Sequence, residues 1–293
     1  MSFLTNLING ISLGSIYAII ALGYTMVYGI AKMLNFAHGD VIMVGGYLCF
    51  IVVSHLNLPP IAAILLAVVG CTALGIVVER LAYKPLRQAA SLAVLITAIG
   101  VSYFLQNSAL LIWGADPKAF PSVVPFPSLN LFGGQLTISS ITLVTVLVCV
   151  LIMVALTTFT SKTKMGKAMR ACSEDKGAAQ LMGINVDTTI SMVFAIGSGL
   201  AAIAGVLLCS AYPTLMPTTG SMPGIKAFTA AVLGGIGSIP GAALGGVLLG
   251  VIEIFAKAYI STQLADAIVF AVLIVVLLIR PAGLLGKEIH EKV

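Results

Sequence analysis

Apolar residues run through this chain in long blocks, and its polar residues gather in the gaps between them. A helix needs roughly 20 apolar residues to cross the hydrocarbon of a bilayer. Runs near that length fall at residues 7–28, 41–54, 61–78, 92–113, 138–159, 189–212, 241–259 and 264–279. A ninth, 225–239, is short and broken by Gly234, Gly235 and Gly237. The run at 41–54 is also short. The pattern predicts an all-α, polytopic transmembrane helical bundle of about eight to nine membrane segments, some discontinuous. Short and glycine-interrupted runs are where a transporter's backbone breaks beside its pathway.

Composition agrees with this reading. Of 293 residues, 59% are hydrophobic and 9% charged, against about 25% charge in an ordinary soluble domain. Mean hydropathy is +1.12. So little charge cannot cover a water-facing surface, and the expected environment is lipid. The whole chain reads as a single membrane domain. A net charge of +5 would suit nucleic acid, but the positive residues lie in short loops between apolar runs and record orientation instead.

Arg80, Lys84 and Arg87 fall in one loop, Lys162, Lys164, Lys167, Arg170 and Lys176 in another, and Arg280, Lys287 and Lys292 in the tail. Placing all three groups in the cytoplasm puts the N-terminus outside, where no Lys or Arg precedes Lys32. That lack of early charge also argues against a secretory signal. Residues 114–137 then form an external loop, stiffened by Pro117, Pro121, Pro125 and Pro127.

Several positions invite chemistry. Residues 35–40 are polar between two apolar runs. Three readings stand for them: an inner turn with Asp40 capping a helix that begins at Val41, a pathway lining made by Asn35, Phe36, Ala37, His38 and Gly39, or a subunit contact. His38 alone signals neither metal nor proton chemistry. Glu253 and Lys257 are one helical turn apart and are expected to pair, with Glu253 a further candidate for the pathway or a subunit contact. Asp266 and the adjacent Glu79 and Arg80 sit at run ends. Gly241, Gly245, Gly246 and Gly250 permit close helix packing. GxxLG recurs at 10–14 and 241–245, a short match. Cys49, Cys71, Cys149, Cys172 and Cys209 form no metal or redox spacing. GxxxxGK[ST], GxSxG and HExxH are all absent. No enzymatic role and no bound cofactor are expected.

The loop at 161–189 is the most informative segment. Within it, Gly177-Ala178-Ala179 and Gly183 place small residues on a short helix that can fit a groove on a soluble partner, and Gly183 can close that helix in a left-handed conformation. On spacing alone, an ordinary basic loop that sets topology remains open. The stretch MGKAMRACSEDKGAAQLMGINV (165–186) resembles the cytoplasmic signature of ABC importer permeases of the branched-chain amino-acid type, the LivH-type subunit. It is similar to the wider Glu-Ala-Ala-x-x-x-Gly loop of binding-protein-dependent permeases, with Gly177 in the place of the glutamate and no later Leu-Pro. ALGYTMVYGIAKMLNFAHGD (21–40) resembles a second signature of the same family, and the likeness extends to RPAGLLG at 280–286.

The resemblance implies that residues 161–189 form a coupling helix seated in an ATPase subunit, with Arg170, Glu174, Asp175, Ala178, Ala179, Gly183, Ile184 and Asn185 at the contact. It implies a second permease subunit, identical or homologous, two cytoplasmic ATPase subunits that use ATP and Mg, and an extracytoplasmic binding protein. The implied activity is import of amino acids, chiefly Leu, Ile and Val, by alternating access. The alternatives are an ion-coupled secondary transporter, or a relative that carries amides, urea or other small polar cargo.

Overall fold

Each apolar run folds as a helix, and several helix ends fall where the sequence supplies a cap, a proline or a glycine. The computed structural model describes residues 2–124, 126–131 and 136–286; Pro125, Lys287 and Lys292 lie outside them. Eleven α-helices are present among the described residues: α1 (Ser2–Ala31), α2 (His38–Ser54), α3 (Pro60–Val78), α4 (Ser91–Trp113), α5 (Ser140–Lys162), α6 (Lys164–Glu174), α7 (Lys176–Leu181), α8 (Val186–Ala211), α9 (Ser221–Gly234), α10 (Ile239–Tyr259) and α11 (Ala265–Ile279). α3 continues through a π-helical turn (Glu79–Tyr83) and a 3-10 turn (Lys84–Leu86). Six helical stretches are long and apolar enough to cross a membrane, and α2 and α11 are shorter apolar helices. The expected all-α membrane bundle is the observed architecture.

Local chemistry explains the boundaries. Pro60 opens α3, where its missing N–H is no loss. The Ser238 hydroxyl caps α10 by accepting from the Gly241 N–H at 3.2 Å. The expected 225–239 run is shifted: α9 starts at Ser221 and stops at Gly234, because Gly235 and Gly237 take φ of +102° and +94°, a conformation that suits glycine and ends a helix. Asp40 does not cap a helix at Val41. α2 begins earlier, at His38, with Ala37 in the cap position and Asp40 inside the first turn.

The chain divides into two compact units. The first comprises Met1–Thr25, Ser128–Thr157 and Lys226–Val293. In it, the expected small-residue packing is observed within the chain. A Cβ on Gly10 would lie 2.8 Å from Val251 Cα, and one on Gly14 would lie 2.6 Å from the Val247 carbonyl oxygen. Gly246 lies against Ala18, Gly250 against Gly14, and Gly241 against Gly234. The two GxxLG segments do not face each other: Gly10 and Gly14 meet α10 at residues 246–251, while Gly241 and Gly245 meet the end of α9 at Ala230 and Gly234, and in both places glycine lets backbones meet. A short hairpin, β2 (Leu129–Leu131) and β3 (Leu136–Ile138), precedes α5.

The second unit comprises Met26–Pro127 and Thr158–Ile225. Here α8 packs on α2 and α3, again through glycine: a Cβ on Gly45 would lie 2.7 Å from Ala202 Cα, while Gly205 meets the Ile42 carbonyl and Gly75 meets Ser198. A core of Met43, Tyr47, Ala63, Ala67, Phe120, Val206 and Leu215 closes one end, where the Tyr47 and Trp113 rings stack at 4.3 Å. The proline-rich segment is held there by two short strands, β1 (Lys118–Ala119) pairing antiparallel with β4 (Thr214–Leu215).

If backbone contact sets the α1–α10 packing, Gly14→Leu drives a side chain into Val247, and overpacking of this kind costs about 1–3 kcal/mol. Melting in detergent is expected to fall by several degrees for Gly14→Leu. It should be unchanged for Gly100→Leu, whose Cβ would meet nothing within 4 Å. Equal melting temperatures would refute the packing assignment.

Candidate functional site

The loop at 161–189 folds as two surface helices, each end of which has a chemical cause. Thr163 caps α6, its hydroxyl accepting from the Gly166 N–H at 2.9 Å. Gly166 lies against the Phe159 carbonyl and Thr160, so α6 folds back tightly on the end of α5, and only glycine fits there. Met169 and Cys172 are buried beneath α6. Asp175 caps α7, accepting from Gly177 N at 2.7 Å and Ala178 N at 3.0 Å. α7 ends as the sequence predicts: Gly183 has φ +81°, Ile184 N donates to the Ala179 carbonyl at 3.1 Å and Gly183 N to that of Gln180 at 3.0 Å. This pair of bonds is a Schellman closure. Asn185 then caps α8 through Thr188 N at 3.0 Å.

Of the residues named from sequence, Ala179 is buried and forms the base of α7. Arg170, Glu174, Asp175, Ala178, Gly183 and Asn185 are exposed, and Ile184 is half-buried. Two positions that sequence reasoning passed over are the most prominent. Leu181 is 91% exposed and Met182 82% exposed. Large apolar side chains at the tip of a charged surface helix are poorly placed in water and well placed against a partner. Their signal was present: two apolar residues directly before a helix-closing glycine in a polar loop.

The helices are tied to the spans beneath them. Lys176 Nζ, at the start of α7, donates to the Ala31 carbonyl at the end of α1 at 2.6 Å. Burial, with the nearby Arg87 and Lys32 charges, holds the Lys176 ammonium below its ordinary range. Arg87, just past the 3-10 turn, donates to both Glu79 and Asp187. Lys84 pairs with Asp187 at 2.7 Å, and Ser191 donates to Glu79 at 2.6 Å. Glu79 has no exposed surface, so Arg87 is the cation that makes its burial tolerable. The junction joins the end of the α3 stretch to the start of α8, right after α7. Sequence reasoning placed Glu79 at a run end but passed over Asp187, and it had no means to pair Arg87 with a residue 100 positions away.

Residues 35–40 enter the apolar region. Tyr83, in the π-helical turn, donates its hydroxyl to Asn35 Oδ1 at 2.8 Å. The Cys71 thiol lies 3.7 Å from the Val41 carbonyl, and Cys71 is near the middle of the 27-residue stretch Pro60–Leu86. α2 therefore begins at mid-span rather than at a surface. The start of α9 lies beside it: a Cβ on Gly39 would be 2.7 Å from the Gly220 carbonyl oxygen. Two helix N-termini meet there, each carrying N–H groups without intrahelical partners and partial positive charge. Gln106 Nε2 donates to Asp40 Oδ1 at 2.8 Å and lies 3.3 Å from the hydroxyls of Ser102 and Ser221. Asn35, Ala37, His38, Gly39 and Asp40 are buried and Phe36 partly so. Gln106 was not foreseen, because a lone amide in an apolar run has no periodic signal.

Glu253 belongs to the first unit and is 1% exposed. The expected Lys257 pairing is present at 2.6 Å. Lys226 also pairs with Glu253, at 2.8 Å, and with Asp266, at 2.6 Å, and the Tyr17 hydroxyl donates to Glu253 at 2.8 Å. Two carboxylates and two ammonium groups thus cancel, and the cluster joins α1, α9, α10 and α11.

Comparison with known proteins identifies the lineage. Residues 6–277 match the family model for the branched-chain amino acid transport system permease component. The chain is 46% identical to the high-affinity branched-chain amino acid transport system permease protein LivH of Salmonella typhimurium, over 99% of this chain and 98% of that protein. It is likewise 46% identical to the permease protein BraD of Pseudomonas aeruginosa, with the same coverage. A solved structure, PsaBC from Streptococcus pneumoniae in complex with Fab, aligns at 14% identity and a TM-score of 0.49 over 95% of this chain and 92% of that one. The chain belongs to the permease components of the branched-chain amino acid transport system, multi-pass inner-membrane subunits of ABC importers.

Proposed function

We propose that this chain conducts branched-chain amino acids across the membrane and draws its energy from separate ATPase subunits seated on α7. Those subunits, two per complex, would use ATP and Mg. A second permease, identical or homologous, completes the pathway, and an extracytoplasmic binding protein delivers the cargo. Residues 161–189 face the cytoplasm and residues 114–137 the exterior. The observation that supports this reading is the α6–α7 surface unit: a short helix capped at both ends that leaves Leu181 and Met182 exposed.

The coupling follows from the connections of α7. Displacing α7 pulls on the end of α1 through Lys176 and on the start of α8 through the closure at Gly183 and the cap at Asn185. The Arg87 junction then couples α8 to the α3 stretch, whose Tyr83 holds Asn35. Residues 35–40 and the start of α9 would be the moving lining. The His38, Asp40 and Ser221 N–H groups already meet turn carbonyls, so it is the positive ends of the two helix dipoles that would suit the carboxylate of an amino acid, with the polar Asp40–Gln106 pair beside them. The moved and unmoved arrangements must contact the ATPase differently for hydrolysis to shift the equilibrium.

Two outcomes check this account. Gly183→Arg forces a side chain into a left-handed position, costing about 1–2 kcal/mol locally, and sets a charge beside Leu181. It is expected to abolish transport and co-purification of the ATPase while membrane insertion stays normal, and normal co-purification would contradict the docking role. Arg87→Met strands the Glu79 carboxylate, a change that costs about 3–5 kcal/mol for a buried pair. It should lower thermal stability sharply, and adding Glu79→Gln should recover much of the loss. No recovery in the double variant would refute the pairing.

A further inference from the structure

We propose that the cavity beside the π-helical turn of the α3 stretch binds the headgroup of an anionic phospholipid. The cavity, about 500 Å³, is lined by Arg80, Lys84, Asn185, Asp187, Thr188 and Ser191. Most of its charge is already spent within the chain. Asp187 is held by Lys84 at 2.7 Å and by Arg87, and Ser191 donates to Glu79 at 2.6 Å. Arg80 differs: it makes no hydrogen bond or ion pair with any described residue. Two cations and one carboxylate line the space, so a net positive charge is left over, on a guanidinium whose planar fork matches a phosphate. Thr188 and Asn185 bring further donors to the same wall.

The helix that carries Arg80 selects a lipid over a soluble ligand. Val77, one turn before it, is 49% exposed, and Leu81, directly after it, is 75% exposed. On a span those apolar side chains meet acyl chains. Lys84 follows one turn beyond Arg80 and is half exposed, and the span ends at Leu86. The surface thus changes from apolar to basic within one helical turn, as it must at the headgroup level. A phosphodiester monoanion balances the leftover charge. A zwitterionic headgroup brings its own cation and does not. Basic pockets between spans take anionic headgroups on this principle.

The test uses the full permease in its complex, delipidated in detergent and then offered equal phosphatidylglycerol and phosphatidylcholine, with bound lipid read by native mass spectrometry. The wild-type chain is expected to retain phosphatidylglycerol about fivefold over phosphatidylcholine, the preference that one basic residue gives at a charged interface. Arg80→Gln should erase the preference and Arg80→Lys should keep most of it. Thr188→Val provides a milder second variant, with a reduced preference expected. A preference that survives Arg80→Gln would overturn the proposal. So would displacement of the lipid by millimolar inorganic phosphate, which would mark a free-anion site. Loss of the ATPase subunit in Arg80→Gln with lipid preference intact would make the cavity a protein contact and would overturn it equally.

Discussion

Inside a bilayer no water competes for a carboxylate or an amide, so every polar group a span carries must be satisfied by the chain or by what passes through it. That constraint organises this molecule. Glu79 and Glu253 are almost wholly buried, and each is met by a cation and by a hydroxyl from another helix. A hydroxyl or an ammonium does not reach these positions by local folding; it fixes one helix against the next. Glycine provides the other half of the arrangement. Where Gly14, Gly45, Gly205 and Gly246 bring backbones together, dispersion between close-packed helices replaces a hydrophobic drive that lipid cannot supply.

Two helices start side by side with their first N–H groups turned to loop carbonyls instead of helical ones. α2 and α9 both begin within the apolar region, beside each other at Gly39 and Gly220. An ordinary inner turn would put those N–H groups in water. Here they lie at the level of the middle of the α3 stretch, with the Asp40 carboxylate held by an amide and no ion pair to it among the described residues. A broken helix at that depth is tolerated where it is enclosed by protein or lines a path. The segment NFAHGD (35–40) marks that break in the sequence.

Much of the fold was legible because membrane helices announce themselves by composition. The run ends at 28, 54, 78, 113, 159, 212, 259 and 279 fall within a few residues of the observed helix ends. Gly183 was legible because only a residue free to take positive φ closes a helix that way. The Glu253–Lys257 pair was legible because it is local, one turn apart. Lys226 and Tyr17, which share that carboxylate, were not, since the partners lie 27 and 236 positions away and no periodicity connects them. The capping reading of Asp40, one of three open for residues 35–40, fails for the same reason. Its short distance to an apolar run suggested a cap, whereas its partner, Gln106, comes from another span.

The central claim is that α7 carries the coupling to a cytoplasmic motor. A cysteine at Gln180, exposed on α7, tests it directly, because the five native cysteines are buried and contribute little background. With a membrane-impermeant maleimide, Gln180→Cys is expected to react in inside-out vesicles stripped of ATPase subunits, to be protected when those subunits are restored, and to stay unmodified in intact cells. Modification in intact cells, or labelling that the ATPase leaves unchanged, would contradict the account.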